Sequence, residues 1–148
     1  MILVSTRRKI TRIYLILVQK YQTIKIRNDS KMNKRKIGNT YEQMAAEYLQ
    51  NAGVKIVEKN YRNRQGEIDL IGFDGECLVF FEVKYRKNAS KGAPVEAVTF
   101  AKQKNICRVA DYYRMIHKIS EFAAVRYDVV AICGEQISWY RNAFYHIY

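Results

Sequence analysis

Two spacings of apolar residues divide the chain into predicted helices and strands. Apolar residues recur at helical spacing between positions 41 and 49, and again between about 99 and 119. Shorter β-rich runs fall between these helices and after the second one, and they predict strands near residues 55–61, 66–86, 126–132 and 137–141. The predicted order is α-β-β-β-α-β-β. It indicates the α/β class, with a mixed β-sheet flanked by helices.

Start and stop signals set the bounds of the predicted helices. Thr40 stands three residues before Gln43 in the arrangement of a capping box, so the first helix is predicted to begin there. Gly53 follows the last apolar position and favours a helix end. The second helix is predicted from about Thr99 to Ile119. Its buried stripe consists of Ile106, Val109, Ala110, Tyr113 and Ile116.

The segment GEIDLIGFDGECLVFFEVKYR, residues 66–86, predicts a β-hairpin, because Asp74-Gly75 between two β-rich runs is a strong turn signal. With these two residues at the centre of the turn, Glu67 lies opposite Glu82. Side chains alternate between the two faces of a strand, so one face collects the charges. That face consists of Glu67, Asp69, Ile71, Leu78, Phe80, Glu82 and Lys84. The other face is apolar and consists of Ile68, Leu70, Val79, Phe81 and Val83.

The charged patch at the end of this hairpin predicts a site for a divalent cation. At an effective dielectric constant of 20, two carboxylates ~4 Å apart repel by about 4 kcal/mol, and one lysine cannot neutralise three of them. Mg²⁺ binds oxygen ligands, uses one or two carboxylates and keeps several waters. Asp69 and Glu82 are therefore the predicted ligands, with the carbonyl of Val83 as a third. Lys84 is predicted to reach a metal-bound water or a substrate phosphate.

A solvated pair of Glu82 and Lys84 on an exposed sheet face is the competing interpretation of this pattern. Three apolar residues, Ile71, Leu78 and Phe80, share the face and favour a covered surface instead. The motif ExK alone is common. An aspartate thirteen residues before the glutamate, on the neighbouring strand, makes the pattern more specific.

The chain is strongly basic, with 26 Lys and Arg against 14 Asp and Glu, a net charge of +12 and a pI near 9.7. Such a charge favours polyanionic partners, nucleic acid first and an anionic membrane surface second. Three separated cysteines, Cys77, Cys107 and Cys133, form neither a disulfide framework nor a metal-binding spacing. A reducing cytoplasm is the predicted location.

Residues 1–31 form a basic leader, with eight basic residues and one acidic residue. Its longest apolar run, Ile13 to Val18, has six residues and is too short to span a bilayer. Three interpretations stay open: an arm that contacts phosphates, a segment at a membrane surface, or a start assigned too early, with Met32 as the true start. We favour the third and expect the leader to be poorly ordered. The domain is predicted to comprise residues 32–148.

The combination of GEIDLI and FEVK resembles the D…ExK core of restriction-endonuclease-like nucleases, which include archaeal Holliday junction resolvases. The resemblance is closer still to the uncharacterised bacterial YraN family, and it spans residues 37 to about 145. The matching segments are residues 37–53, 59–71, 78–88, 92–98, 102–104 and 126–132.

This resemblance implies a restriction-endonuclease-like α-β-β-β-α-β core and a Mg²⁺- or Mn²⁺-dependent endonuclease. It adds Glu42 to the catalytic set of Asp69, Glu82 and Lys84, although a first-turn glutamate is also explained by the helix dipole. Tyr41 stands where the family usually has Gly. Three further candidates for the site are Glu67, Gln103 and Lys104. Glu67 has an alternative role as the partner of Arg62 or Arg64. The alternative for Gln103 and Lys104 is that both are simply exposed helix residues.

The implied partner is nucleic acid, with DNA favoured and branched DNA as a candidate substrate, and without stable membrane association. Basic residues expected to contact its backbone are Arg62, Arg64, Arg86, Lys87 and Lys91. Asp128 is expected to have a structural role, bound to backbone or to an arginine. A homodimer is an expectation because resolvases of this fold use two sites. The competing function is a catalytically inactive nucleic-acid-binding module on the same scaffold.

Overall fold

Five strands form one mixed sheet with a helix on each face. The computed structural model describes residues 34–86 and 98–148, with side chains from Gly38 onward in the first range. The elements are α1 (Lys34–Asn51), β1 (Lys55–Asn63), β2 (Gly66–Asp74), β3 (Cys77–Arg86), α2 (Phe100–Ile116), β4 (Val125–Cys133) and β5 (Gln136–Phe144). The predicted leader, residues 1–31, lies outside the described residues.

The strands follow the chain order β1-β2-β3-β4-β5 across the sheet. β1, β2 and β3 form an antiparallel meander, and β4 and β5 form an antiparallel pair. β3 and β4 are parallel, because α2 carries the chain back between them. This α/β architecture with a mixed sheet confirms the predicted fold class, and it is the arrangement that the resemblance to nucleases implied.

Each helix covers one face of the sheet with its own apolar cluster. The α1 side buries Ala45, Ala46 and Leu49 of the helix against Leu70, Val79, Phe81, Val130 and Ile132 of the sheet. The α2 side buries Ile106, Cys107, Val109, Ala110 and Tyr113 against Ile68, Ile71, Leu78, Phe80, Tyr127 and Val129. Neither described helix is long and apolar enough to cross a membrane.

The predicted helix bounds needed correction at two ends. α1 begins at Lys34, so Thr40 lies inside the helix and is not its N-cap. Extending an existing helix adds a hydrogen bond per residue without a new nucleation cost, which outweighs a local capping signal. α2 does begin after Thr99, whose hydroxyl accepts a hydrogen bond from the backbone N–H of Lys102 at 3.3 Å. It ends at Ile116, three residues before the predicted end, and Ile116 is exposed, so its predicted place in the buried stripe is wrong.

The hairpin between β2 and β3 differs by two residues from the predicted register. Gly75 and Glu76 form the turn, Asp74 pairs with Cys77, and Ile71 lies opposite Phe80. Gly75 has φ +62°, so the residue that tolerates a left-handed conformation comes first in the turn.

The predicted pairing of Glu67 with Glu82 is therefore wrong, and Glu67 lies opposite Arg62 of β1 instead. A shift of two residues does not change which side chains share a face, because the strand period is two. The predicted face of Ile68 is nevertheless wrong, since it packs in the α2 cluster while Leu70 packs in the α1 cluster.

The two outer strands of the described sheet are irregular. The β1–β2 register shifts between Ile56 and Glu58, and Asn60 of β1 has φ +54°. The β4–β5 register shifts between Tyr127 and Val129, opposite Asn142, which has φ +52°. Such shifts bend a strand and interrupt its ladder of hydrogen bonds.

Candidate functional site

Asp69 of β2 and Glu82 of β3 are buried next to each other at the end of the hairpin away from its turn. Their exposed fractions are 9% and 3%. The register pairs Leu70 with Phe81, so one step further along the ladder brings Asp69 opposite Glu82. Asp69 Oδ2 accepts a hydrogen bond from the backbone N–H of Val83 at 2.7 Å, which fixes its carboxylate at this position.

Two lysines contact the two oxygens of Glu82. Lys84 Nζ donates a hydrogen bond to Oε1 at 2.6 Å. Lys102 Nζ, from the first turn of α2, lies 3.1 Å from Oε2. That second contact is an ion pair, so each oxygen of Glu82 has an ammonium group beside it. Asp69, Glu82 and Lys84 therefore meet in one place, as their spacing predicted.

Lys102 is the residue that the sequence analysis missed, since it named Gln103 and Lys104 from the same segment. Helical periodicity contains the signal: Lys102 stands four residues before Ile106 and seven before Val109, on the buried stripe of α2. Burial lowers the pKa of Lys102, but the carboxylates of Glu82 and Asp69 outweigh burial, and the net shift is upward. The ammonium form is thus stabilised by the site.

The charge of Asp69 is strongly disfavoured in the folded protein. Burial raises its pKa, and the nearby carboxylate of Glu82 raises it further. The hydrogen bond from Val83 and the charge of Lys102 lower the pKa, and Glu42 raises it again. The result is a pKa of about 7, against an ordinary value of 3.8. Asp69 therefore exchanges its proton near neutral pH, which is typical of functional carboxylates in crowded acidic sites.

Glu42 contributes a third carboxylate from α1. Its Oε2 is buried and has no hydrogen-bond partner among the described residues. Gly38 lies one helical turn earlier in α1 and leaves room for this side chain, because a Cβ added at Gly38 would stand 3.7 Å from Glu42 Oε1. Because Glu42 raises the pKa of Asp69, it belongs electrostatically to the same acidic site.

The donor set at this site fits a hard divalent cation. Two buried carboxylates from adjacent strands offer oxygen ligands, which is what Mg²⁺ and Mn²⁺ take together with several waters. The buried Glu42 Oε2, which has no hydrogen-bond partner among the described residues, is the kind of oxygen that a cation would satisfy. No group of three or more His, Cys, Asp or Glu side chains is close enough to hold a metal where side chains are described. Any such site therefore rests on Asp69 and Glu82, and Val83 remains a predicted ligand.

The secondary candidates have other partners in the structure. Glu67 is half-exposed and forms an ion pair with Arg62 at 3.0 Å, the alternative that the sequence left open. Gln103 donates a hydrogen bond from Nε2 to the carbonyl of Val98 at 2.8 Å, so its amide holds the start of α2. Lys104 is half-buried on the same helix, and no described contact joins it to the carboxylates.

The basic residues predicted to contact nucleic acid are only partly described. Arg62 and Arg64 are exposed at the β1–β2 turn, and Arg86 is half-buried at the end of β3. Lys87 and Lys91 lie outside the described residues.

An aromatic pair joins α1 to the end of β3. Tyr41 and Tyr85 stack with ring centroids 3.5 Å apart and an interplanar angle of 14°. Tyr85 follows Lys84 on the strand and therefore points to the opposite face, where Tyr41 packs on the α1 cluster. Tyr41, which stands where the family usually has Gly, thus has an aromatic partner on β3.

Asp128 of β4 has the structural role expected from the sequence. It is fully buried and accepts hydrogen bonds from Arg126 Nε at 2.9 Å, Trp139 Nε1 at 2.8 Å and the backbone N–H of Asn142 at 2.8 Å. Arg126 also binds Asp74 at 2.7 Å, which ties β4 to the β2–β3 turn. This network lies around the start of β4, and no described contact joins it to the carboxylates of Asp69 and Glu82.

Comparison with other proteins decides the family. A model of "Uncharacterised protein family UPF0102" matches residues 41–132, which include Glu42, Asp69, Glu82, Lys84 and Lys102. The chain belongs to the UPF0102 family. The family membership predicted from GEIDLI and FEVK is thereby confirmed.

Relatives of this UPF0102 chain come from several bacteria. A UPF0102 protein of Lachnoclostridium phytofermentans is 45% identical over 113 residues, which cover 76% of the chain and 96% of that protein. A UPF0102 protein of Vibrio campbellii is 45% identical over 114 residues, covering 75% of the chain and 93% of that protein. One of Aeromonas hydrophila is 46% identical over 108 residues, covering 72% and 83%.

Proposed function

We propose that this UPF0102 protein binds nucleic acid and hydrolyses phosphodiester bonds as a Mg²⁺-dependent endonuclease. One observation carries the proposal: Asp69 and Glu82 are buried as neighbours of like charge, with Lys84 hydrogen-bonded to the second of them. Burying two repelling carboxylates is costly, so a purely structural role would favour apolar or paired residues there. A cation site together with a lysine beside it accounts for all three residues.

In this proposal Asp69 and Glu82 hold Mg²⁺ or Mn²⁺, and Glu42 supports them from α1. A bound divalent ion supplies charge stabilisation at phosphoryl oxygens and a water of lowered pKa. Lys84 would orient the attacking water or hold a non-bridging phosphate oxygen through its ammonium group, at a position fixed by Glu82. Asp69, with a pKa of about 7, gives up its proton near neutral pH and becomes able to bind the cation.

The charge of the chain supports a polyanionic substrate. Without the leader, residues 32–148 hold 18 basic and 13 acidic residues, a net charge of +5 that still favours nucleic acid, and Arg62 and Arg64 are exposed at the β1–β2 turn. We propose DNA as the partner, with branched DNA as the first structure to test. All three cysteines are free, which fits the proposed cytoplasmic location. A homodimer on DNA is part of this proposal, and sedimentation of the protein with and without a four-way junction tests it.

The test is a metal-dependent cleavage assay on duplex, single-stranded and four-way DNA and on RNA of the same sequences. We expect cleavage with Mg²⁺ or Mn²⁺, none with EDTA, and a loss of at least about a hundredfold in Lys84→Ala, which removes a charge-stabilising group. Lys55→Ala is the matched control, because Lys55 is exposed on β1 and pairs with Phe73, near the turn of the hairpin and away from the acidic site. Cleavage that persists in Lys84→Ala would assign the activity to a contaminant.

A non-catalytic nucleic-acid-binding module is the second candidate. The observation that favours it is that both oxygens of Glu82 already lie beside ammonium groups, which compete with a cation. The same assay separates the candidates. Binding to DNA without cleavage in the presence of any divalent ion would leave the module as the function of the scaffold.

A further inference from the structure

Lys102 of α2 holds Glu82 from the side opposite Lys84. We propose that Lys102 acts as a gate: without a divalent ion its ammonium group occupies Glu82 Oε2, and it moves to the substrate phosphate when a cation takes its place. Metal and nucleic acid would then bind cooperatively. This inference rests on the proposed function, whose ligands are Asp69 and Glu82.

The two lysines at Glu82 are not equivalent, and their geometry selects Lys102 as the one that leaves. Lys84 stands two residues away on the same strand and makes an aligned hydrogen bond of 2.6 Å. Lys102 reaches Oε2 from another element at 3.1 Å. Both lysines have the same flexible stem of four carbons, so the longer contact marks Lys102 as the more weakly held.

The charges of the site explain why the gate would couple metal to substrate. Counted with their formal charges, three carboxylates from Glu42, Asp69 and Glu82 and two ammonium groups from Lys84 and Lys102 sum to −1. A divalent ion alone changes this to +1 in a largely buried site. A phosphodiester group, with its single negative charge, brings the sum to zero. We therefore expect each ligand to raise the affinity for the other, and linkage makes the two factors equal.

Removing the ammonium group of Lys102 tests the gate directly. In Lys102→Met, Glu82 Oε2 has no competing cation, so Mn²⁺ should bind the DNA-free protein at least about fivefold more tightly than in wild type, the lower end of typical coupling factors. Added DNA should then raise the Mn²⁺ affinity less than it does in wild type. Lys102→Arg keeps the charge and should restore both values.

Electron paramagnetic resonance of free Mn²⁺ measures these affinities without relying on catalysis. The probe is a four-way DNA junction with phosphorothioate linkages, added or omitted at pH 8. Arg108→Met is the matched control: it removes one charge from an exposed position six residues further along α2, roughly 9 Å along the axis. We expect it to bind Mn²⁺ as wild type does. Circular dichroism checks the fold of each variant. If Lys102→Met does not fold, the same measurement is made on Lys102→Gln.

The results separate the gate from the proposed function. If wild type binds Mn²⁺ with DNA-dependent affinity and a folded Lys102→Met behaves the same, the gate is refuted and the metal site stands. If wild type binds no Mn²⁺ with or without DNA, both the gate and the metal-dependent function are refuted. Tighter Mn²⁺ binding in Lys102→Met, reversed in Lys102→Arg and absent from Arg108→Met, supports the gate.

Discussion

The buried charge of Asp69 should make the substitution Asp69→Asn stabilising at alkaline pH. In the folded protein the pKa of Asp69 is raised from 3.8 to about 7 by burial first and by Glu82 second. A raised carboxylate pKa means that the folded state holds the proton more tightly than the unfolded state. The stability from this protonation is complete below pH 3.8 and is lost as pH rises through about 7. Asparagine has no such proton to lose and can still accept the hydrogen bond from Val83.

The expected size of this effect follows from the two pKa values. The pKa of Asp69 is 3.8 in the unfolded state and about 7 in the folded state. Linkage therefore lowers the unfolding free energy of wild type by about 2–3 kcal/mol between pH 5 and pH 8, relative to Asp69→Asn. The quantity to compare is the difference in unfolding free energy between the two proteins, because groups common to both cancel. This difference should begin to grow above pH 3.8, change most steeply midway between the two pKa values and level off above pH 8.

Urea denaturation followed by circular dichroism measures the difference at several pH values. EDTA must be present, since a divalent ion bound to the folded state would stabilise the wild type. Glu76→Gln, in the exposed β2–β3 turn, is the matched control with the same change from acid to amide. A difference for Asp69→Asn that stays constant from pH 5 to pH 8, or that favours wild type at pH 8, would refute the account of Asp69 as a buried charge under repulsion.

Three other predictions concern the scaffold and its partner. Asp128→Asn should lower the unfolding free energy by about 2–4 kcal/mol, because all groups bound to Asp128 are donors and an amide can accept from only some of them. The control Asp111→Asn, at an exposed site, should change it by no more than about 0.5 kcal/mol in the same urea titration. Equal losses in the two variants would contradict the structural role of Asp128. Gly72→Ala should cost about 1–3 kcal/mol, since a Cβ would stand 2.9 Å from the carbonyl oxygen of Lys55, and an unchanged melting temperature would count against that contact. The logarithm of the binding constant for DNA should fall linearly with the logarithm of the salt concentration, as measured by fluorescence anisotropy. A salt-independent affinity would exclude the electrostatic partner surface.

The acidic site was predictable from sequence because it depends only on which side chains share a face of one hairpin, and faces alternate residue by residue. The predicted register was wrong by two residues, yet Asp69, Glu82 and Lys84 still share the site, since a strand repeats every two residues. The pairing of Glu67 was sensitive to the register and was therefore predicted wrongly. The strand order of the meander also follows from short connections, which favour adjacent antiparallel strands.

The contribution of α2 was harder to predict, because it depends on contacts between distant segments. Lys102 is twenty residues from Glu82 in sequence, and only the packing of α2 against the sheet brings the two together. Thr40 illustrates the opposite error: the prediction relied on a local capping motif, but in the structure the helix continues through Thr40. Local patterns therefore gave the elements and the acidic pair, while the second lysine required the tertiary structure.

The irregular outer strands limit how copies of this sheet can associate. An open edge is a template on which another strand can pair, and proteins with regular, apolar edges are prone to aggregate through them. In β1 the register shift near Glu58 and the left-handed Asn60 interrupt that template, and Lys55 and Lys59 add like charge along it. In β5 the left-handed Asn142 does the same. A continuous intermolecular sheet is therefore disfavoured at both edges, and a homodimer would have to form through helices or loops.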